Sequence, residues 1–336
     1  MKLQQKELGR TGLKLSTLGF GGTGLGNLYA SMSERDAIDT LDAAYAAGLR
    51  YYDTAPLYGH GLSELRLGSG LRRFGDPGAA VSTKVGWRLK PTFGGPAHAG
   101  LFQDITAFSR FNDYSYDGVM RSFEDSLNRL GAQRVDILLI HDVDRRNQGD
   151  RLLEVFREAM SGAYRALLSL REQGLIKAIG CGLNEWEACQ QFAEAGDFDC
   201  FLLAGRYTLL EQESIKSFLP LCERRGIGII LGGPYNSGIL ASGAVKGAWF
   251  DYAPATEAVL ARVAAMQDVC ARHNVPLKAA ALQFPLHHRC VASVIPGTRS
   301  PAELSENLRM LHTPIPDEFW RDLKARALVV RESPTP

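Results

Sequence analysis

Short apolar runs alternate with amphipathic stretches from near residue 50 almost to the end of the chain. The runs are brief and rich in Val, Ile and Leu: Val135–Ile140 (VDILLI), Ile176–Ile179, Phe201–Leu203, Ile227–Leu231 (IGIIL) and Val291–Ile295 (VASVI). A strand covered on both faces has no solvent side to keep polar, so such runs predict parallel strands of an α/β sheet. Between them the period changes. Val119, Phe123, Leu127 and Leu130 recur at helical spacing and predict a helix over 115–131 that Gly131 stops. Ile38, Leu41 and Tyr45 do the same over 33–48, with Ser33 and Asp36 near the start.

Counting such pairs gives eight strand–helix units, with strands near residues 17–20, 50–53, 80–84, 135–140, 176–180, 199–203, 227–231 and 291–295. Eight units favour one closed (β/α)8 TIM barrel over an open sheet, with residues 1–336 as a single domain. Three stretches break the repeat. The first residues, with Gly9 and Gly12 between short apolar pieces, read as an N-terminal β-hairpin across one barrel end. Residues 86–115 are rich in Gly, Pro and aromatics and too long for an ordinary connection, and 142–151 form a polar excursion. Both belong to the C-terminal face of the barrel. The tail, 332–336 (ESPTP), is expected to fray.

Composition narrows the partners. Lys plus Arg number 38 against 37 for Asp plus Glu, giving a formal charge of +1 with no basic or acidic block. Nucleic acid and anionic membrane each demand a clustered basic footprint and are therefore not expected. Hydrophobic residues make up 45% of the chain, enough for a substantial core, yet no apolar run reaches membrane-spanning length. The six cysteines are dispersed without a C-x-x-C or zinc-ligand spacing, so reduced packing thiols and no metal site are expected. The start, MKLQQKELGRTGLKL, lacks a signal-peptide pattern, which gives a cytoplasmic expectation.

Gly19, Gly21 and Gly24 in GFGGTG match G-x-G-x-x-G, but a Rossmann turn needs a helix opening directly and an acidic strand end about twenty residues on. LGNLYASMSER follows instead, and Asp39 and Asp42 fall inside a predicted helix. The glycines read as a tight loop after the first barrel strand, with backbone in close approach. A stronger pattern is positional. Asp53 ends RYYD, Lys84 ends VSTK and His141 ends VDILLIH, three polar groups at the C-terminal ends of consecutive strands, where barrel active sites are built. Tyr58 follows five residues after Asp53.

Alone, each of these residues has an ordinary role as a loop cap, rim aromatic, snorkelling cation or core histidine. Together they make a proton-transfer device. An ammonium lowers the pKa of a nearby phenol, a carboxylate offsets the cost of burying that ammonium, and an imidazole fixes the reacting oxygen.

These residues, with LGRTGLKLSTLGFGG, YYDTAPLYG, STKVG, RSFEDSLNRLGAQRVDILLIHD, IKAIGCGLNEWE and IPGTRSPAELSENL, resemble the aldo-keto reductase superfamily over nearly the whole chain. The resemblance implies hydride transfer between NAD(P)(H) and a carbonyl or alcohol. It makes Tyr58 the general acid/base, with Asp53, Lys84 and His141 completing a tetrad. It implies that Gly21, Gly22, Thr23 and Asp53 border the cofactor, that Asn184 takes the nicotinamide carboxamide beside Leu183, and that Gly233, Tyr235 and Ser237 hold the pyrophosphate. Gly232 stands where many members carry an aromatic that stacks on nicotinamide.

At the adenosine end the resemblance points to Gly297, Thr298, Arg299, Glu303, Glu306 and Asn307. Gly297 and Glu303 replace two cations that bind a 2'-phosphate, so NAD is favoured, with NADP left possible through Arg299. Glu306 and Asn307 match an adenine-binding pair.

Within the superfamily, FNDYSYDGVMRSFEDSLNRLGAQRVDILLIHDVD and GGPYNSGIL resemble the D-threo-aldose 1-dehydrogenase group, which includes L-fucose, galactose and pyridoxal 4-dehydrogenases. The expected reaction is oxidation of an aldose to its lactone with NAD. The alternatives are pyridoxal oxidation, NADPH-dependent reduction of an aldehyde or ketone, and a nucleotide sensor without turnover. Trp87, Phe93 and Asp142 are expected to present an aromatic wall and a sugar-hydroxyl acceptor to a small sugar or aldehyde. Trp249 and Tyr252, in the GAWFDY excursion, have packing or the same wall as alternative roles.

Overall fold

A computed structural model describes residues 3–75, 78–93, 100–132 and 134–336. Eight parallel strands form its central sheet: β1 (Phe20–Gly21), β2 (Tyr51–Asp53), β3 (Ala80–Val85), β4 (Ile137–His141), β5 (Ala178–Leu183), β6 (Cys200–Ala204), β7 (Gly228–Gly232) and β8 (Val291–Ile295). Each pairs with its successor. Parallel bridges Leu18–Val294 and Gly21–Gly297 join β8 back to the β1 segment and close the cylinder.

Side-chain alternation sets the interior. Tyr51, Ala80, Ile137, Leu139, Ala178, Cys200, Leu202 and Ile230 fill the inner cluster, while Tyr52, Val81, Leu138 and Ile140 belong to the outer one, under the helices. Since successive residues of a strand point to opposite faces, the same parity carries Asp53, Lys84 and His141 into the barrel above that inner layer. The hairpin Gln5–Glu7/Lys14–Ser16 brings Leu8, Leu13 and Leu15 into the inner cluster and plugs the other end.

Helices α1 (Glu34–Ala46), α2 (Leu62–Phe74) and α3 (Tyr116–Leu130) follow β1, β2 and β3. Ser33 and Ser115 cap α1 and α3 by accepting from Asp36 N and Gly118 N, and Gly131 ends α3 in the left-handed region.

β4, β5 and β7 start later than the apolar runs suggest. β4 pairs from Ile137, because Asp136 below it is committed to the barrel floor, where its carboxylate accepts from Val81 N at 3.0 Å. The 86–115 insertion contains an antiparallel hairpin, Trp87–Pro91/Phe108–Asn112, rather than irregular chain alone; residues 94–99 lie outside the described part. The expected frayed tail is held down: Ser333 is buried, and Val330 N donates to Gln212 Oε1 at 3.3 Å.

All six cysteines are free, five of them buried. Cys290 lies beside Glu223 and His288, with ligand-type atoms within 4.8 Å of one another. There Glu223 is paired with Arg289, and His288 Nδ1 accepts from Cys290 N, so these donors are already engaged. Among the described residues no helix is long and apolar enough to cross a membrane.

Candidate active site

Lys84 and Asp53 meet inside the barrel at 1% and 2% side-chain exposure. The Lys84 ammonium donates to Asp53 Oδ1 (2.9 Å), Asp53 Oδ2 (2.8 Å) and Thr54 O (2.8 Å), which uses all three of its protons. Ser82 Oγ donates to Asp53 Oδ1 at 2.7 Å and contacts Tyr51 OH at 2.9 Å. Burial pushes the Asp53 carboxyl up and the Lys84 ammonium down, and each partner's charge opposes the other's shift.

Tyr58 stands on a tight loop, its N donating to Ala55 O at 3.1 Å and its carbonyl accepting from Ser63 N at 3.2 Å. Gly26 lets the β1 loop pass this backbone, since a Cβ there would lie 2.5 Å from the Tyr58 carbonyl carbon. The Tyr58 ring has Lys84 Nζ over its face at 4.6 Å, the His141 ring edge-on at 5.9 Å and Phe102 at 6.1 Å. Its half-buried side chain borders a cleft.

The expected lowering of the phenol pKa by Lys84 does not appear. Burial, then the Asp53 carboxylate, hold the Tyr58 hydroxyl well above its ordinary value. Asp53 lies against the same ammonium and cancels much of its field.

His141 is buried, and burial followed by the Lys84 and Arg110 charges keeps it well below its usual range, hence neutral. Its Nε2 is 3.5 Å from Asp142 Oδ1, and its Nδ1 has no partner among the described residues. Asp142 takes a left-handed backbone, φ 59, which turns its side chain under the hairpin. There its Oδ2 accepts from Trp87 Nε1 at 2.9 Å. Trp87 and Asp142 thus bind each other beside His141, whereas sequence reasoning assigned them separately to a wall and a sugar contact. Phe93 is fully exposed and contributes no wall.

The cleft has a volume of about 470 Å³ and runs from Asp53 and Tyr58 to Glu306 and Asn307. Gly21, Thr23, Gly233, Tyr235, Ser237, Gly297, Arg299 and Glu303 line it. Gly22 and Thr298 lie behind this lining. Gly22 packs on β2, where a Cβ would stand 2.4 Å from Asp53 O, and Thr298 is buried with Oγ1 donating to Pro296 O at 3.4 Å. Gly205 and Gly233, at φ 68 and 58, form an open wall that a long phosphate-linked ligand can approach closely. At the far end Tyr235 OH donates to Asn307 Oδ1 at 2.8 Å, and Lys278 pairs with Glu306. Glu303 Oε2 accepts from Arg299 N at 2.8 Å, with Oε1 3.5 Å from Arg299 Nη2. These residues fit a dinucleotide.

Sequence reasoning named Trp249 and Tyr252 as packing or wall residues but missed the ion pairs that hold their excursion over this cleft. The short hairpin Trp249–Phe250/Ala253–Pro254 carries Asp251, which pairs with Arg206 at 2.7 Å and Arg146 at 3.0 Å. Next to it, Tyr252 OH donates to Asn184 Oδ1 at 3.3 Å, and Tyr252 N donates to Ser237 Oγ at 2.9 Å. Tyr29 reaches Trp249 from the β1 loop, ring centres 6.1 Å apart. The three pairing residues are scattered in sequence, and only the GAWFDY excursion signalled them.

Known proteins resemble the chain over nearly its whole length. Residues 17–327 match the model of the aldo/keto reductase family. The chain is 43% identical to pyridoxal 4-dehydrogenase of Microbacterium luteolum, covering 97% of this chain and 98% of that one. It is 37% identical to D-threo-aldose 1-dehydrogenase of a Pseudomonas species, covering 97% of each. Among solved structures, an aldo-keto reductase from Bacillus halodurans in its holo form superposes with a TM-score of 0.71 at 22% identity, over 97% of this chain and 96% of that one, a likeness of fold.

Proposed function

The chain belongs to the aldo/keto reductase family, and from that premise we propose that it is an NAD-dependent dehydrogenase that oxidises a cyclic hemiacetal, an aldose or pyridoxal, to its lactone. The observation that carries this reading is the Tyr58 hydroxyl. It borders the cleft, and no residue described hydrogen-bonds it, while its ring packs against the Lys84 ammonium and the His141 edge. A phenol so placed is free to exchange a proton with a substrate oxygen.

When bound, the nicotinamide supplies the acceptor for the hydride that leaves the anomeric carbon. The chain supplies the rest. Tyr58, as phenolate, removes the proton of the anomeric hydroxyl, and the C–O bond becomes the lactone carbonyl as the C–H pair departs. Neutral His141 hydrogen-bonds the same oxygen and sets its direction. Lys84, fixed by Asp53, keeps a positive charge under the tyrosine ring where negative charge is held before the proton arrives. Run backwards, the same groups return a lactone to its hemiacetal; with an aldehyde as substrate, Tyr58 as the phenol would give its proton to the oxygen of the resulting alcohol.

Glu303 supports NAD over NADP. It lies in the cleft with its carboxylate on Arg299, leaving that guanidinium paired instead of waiting for a phosphate. A carboxylate repels a phosphate dianion and accepts hydrogen bonds from a free ribose.

Steady-state rates with NAD and NADP, using L-fucose, D-arabinose, L-galactose and pyridoxal, test the proposal. NADH formation with at least one of these substrates is expected. Preference for NADP by about tenfold or more, a difference of about 1.4 kcal/mol, with no oxidation of any of the four, overturns it.

A further inference from the structure

The hairpin over the barrel mouth places a cation where the tetrad has no use for one. Its register pairs Trp87 with Asn112 and Leu89 with Arg110, so these four side chains share one face, while Arg88, Lys90 and Phe111 share the other. The first face is the one turned to the barrel. Trp87 reaches Asp142, and Asn112 Nδ2 donates to Tyr114 OH, which itself donates to His141 O at 2.7 Å.

Arg110 lies over Trp87, its guanidinium carbon 4.5 Å from the ring centre. Stacking occupies the face of a guanidinium and leaves its in-plane N–H donors free. Arg88, on the outer face, donates from Nη1 to Asp113 Oδ2 at 2.9 Å, whereas no described residue hydrogen-bonds or ion-pairs with the Arg110 guanidinium. The indole beneath it is itself fixed by Asp142, two contacts from His141. The arrangement is an exposed donor fork with no acceptor among the described residues, and its charge is felt at His141 and Asp142.

We propose that Arg110, seated on Trp87, is a specificity residue that binds an ionised oxygen carried by the substrate away from the carbon that is oxidised. This rests on the dehydrogenase reading above and narrows its substrate class to a planar hydroxypyridine hemiacetal such as pyridoxal, in preference to a neutral pyranose. The ring oxygen of a hydroxypyridine carries negative charge in its zwitterionic form. A sugar hydroxyl exchanges one neutral hydrogen bond with water for another and gains little from a guanidinium, whereas an ionised oxygen gains a charge-assisted bond about twice as strong.

The test compares Arg110→Gln with the parent enzyme. For pyridoxal, kcat/KM is expected to fall by about tenfold or more, mainly through KM, as for loss of a binding contact, while kcat/KM for L-fucose or D-arabinose changes less than about twofold. Equal losses for pyridoxal and the sugars overturn the proposal, because they are what a merely structural role in seating Trp87 gives.

A binding measurement separates this proposal from the dehydrogenase reading. Calorimetry on the NAD complex of Tyr58→Phe, with and without Arg110→Gln, uses the lactone of pyridoxal and its ring O-methyl ether as probes. Weaker binding of the lactone alone upholds Arg110 even if the parent enzyme oxidises none of the substrates, a result that counts against the dehydrogenase reading only. Equal weakening of both probes, or of neither, overturns Arg110.

Discussion

Lys84 touches Tyr58 by its face: the ammonium lies 4.6 Å from the ring centre and gives every proton to Asp53 and Thr54. The cation therefore acts on the phenol through its field, with no hydrogen bond to the hydroxyl, and that field is reduced by the carboxylate that keeps the cation charged.

The pair should be costly to break and cheap to delete. Lys84→Met leaves the Asp53 carboxylate buried without its partner, and a loss of about 3–5 kcal/mol is expected in urea unfolding. Adding Asp53→Asn to that variant should recover most of the loss. A double variant as unstable as the single one would place the damage in packing instead of charge.

Tyr58 predicts a pH profile. Burial and Asp53 raise its hydroxyl well above the ordinary 10.0, so the phenolate stays scarce and oxidation should keep rising from about pH 7 to about pH 10. Tyr58→Phe should lower kcat by about 10²–10⁴ with NAD affinity unchanged. A rate already flat at about pH 7 in the parent enzyme would exclude a rate-limiting role for this proton.

Asp142 carries a second pH signature, in stability. Burial, then Asp144, push its carboxyl up to about 7 from 3.8. The folded state therefore holds a proton that the unfolded chain has released. The stabilisation is complete below the unfolded value and is lost as pH rises through the folded one, at up to about 1.4 kcal/mol per unit. Asp142→Asn should flatten this decline in denaturant titrations between about pH 4 and about pH 7. An unchanged slope would assign the decline to other groups.

Glu303→Gln keeps an oxygen for the Arg299 N–H but releases its guanidinium from an ion pair. The ratio of kcat/KM for NADP to that for NAD should rise by about tenfold, or 1.4 kcal/mol. No change in the ratio would mean that the carboxylate does not read the ribose.

Strand parity made most of the centre legible. Three polar residues closing apolar runs had to point one way or the other, and the inward parity of Tyr51, Ala80 and Ile137 carries Asp53, Lys84 and His141 inward with them. Gly21 and Gly24 were legible as a close approach, and what they approach is the end of β8 and the loop after it, where a Cβ would stand 2.9 Å from Ile295 O and 2.8 Å from Thr298 O. What pairwise chemistry would form across the mouth was not legible. Trp87 and Asp142 are 55 residues apart and belong to separate excursions, so no local period signals that the indole would take the carboxylate. The Arg206–Asp251 pair was hidden in the same way, by 45 residues. The field at Tyr58 was misjudged because a sequence shows the cation and its counter-charge without the distances that make one cancel the other.

The cylinder is sealed where its first and last strands meet, through Leu18–Val294 and Gly21–Gly297, and the long cleft lies across that seal, drawing Gly21 and Thr23 from one end of the chain and Gly297 through Asn307 from the other. The remaining walls come from the segments between, near Asp53, Gly205, Gly233 and Tyr252. A dinucleotide seated there acts as a clasp across the join that costs the most entropy to form.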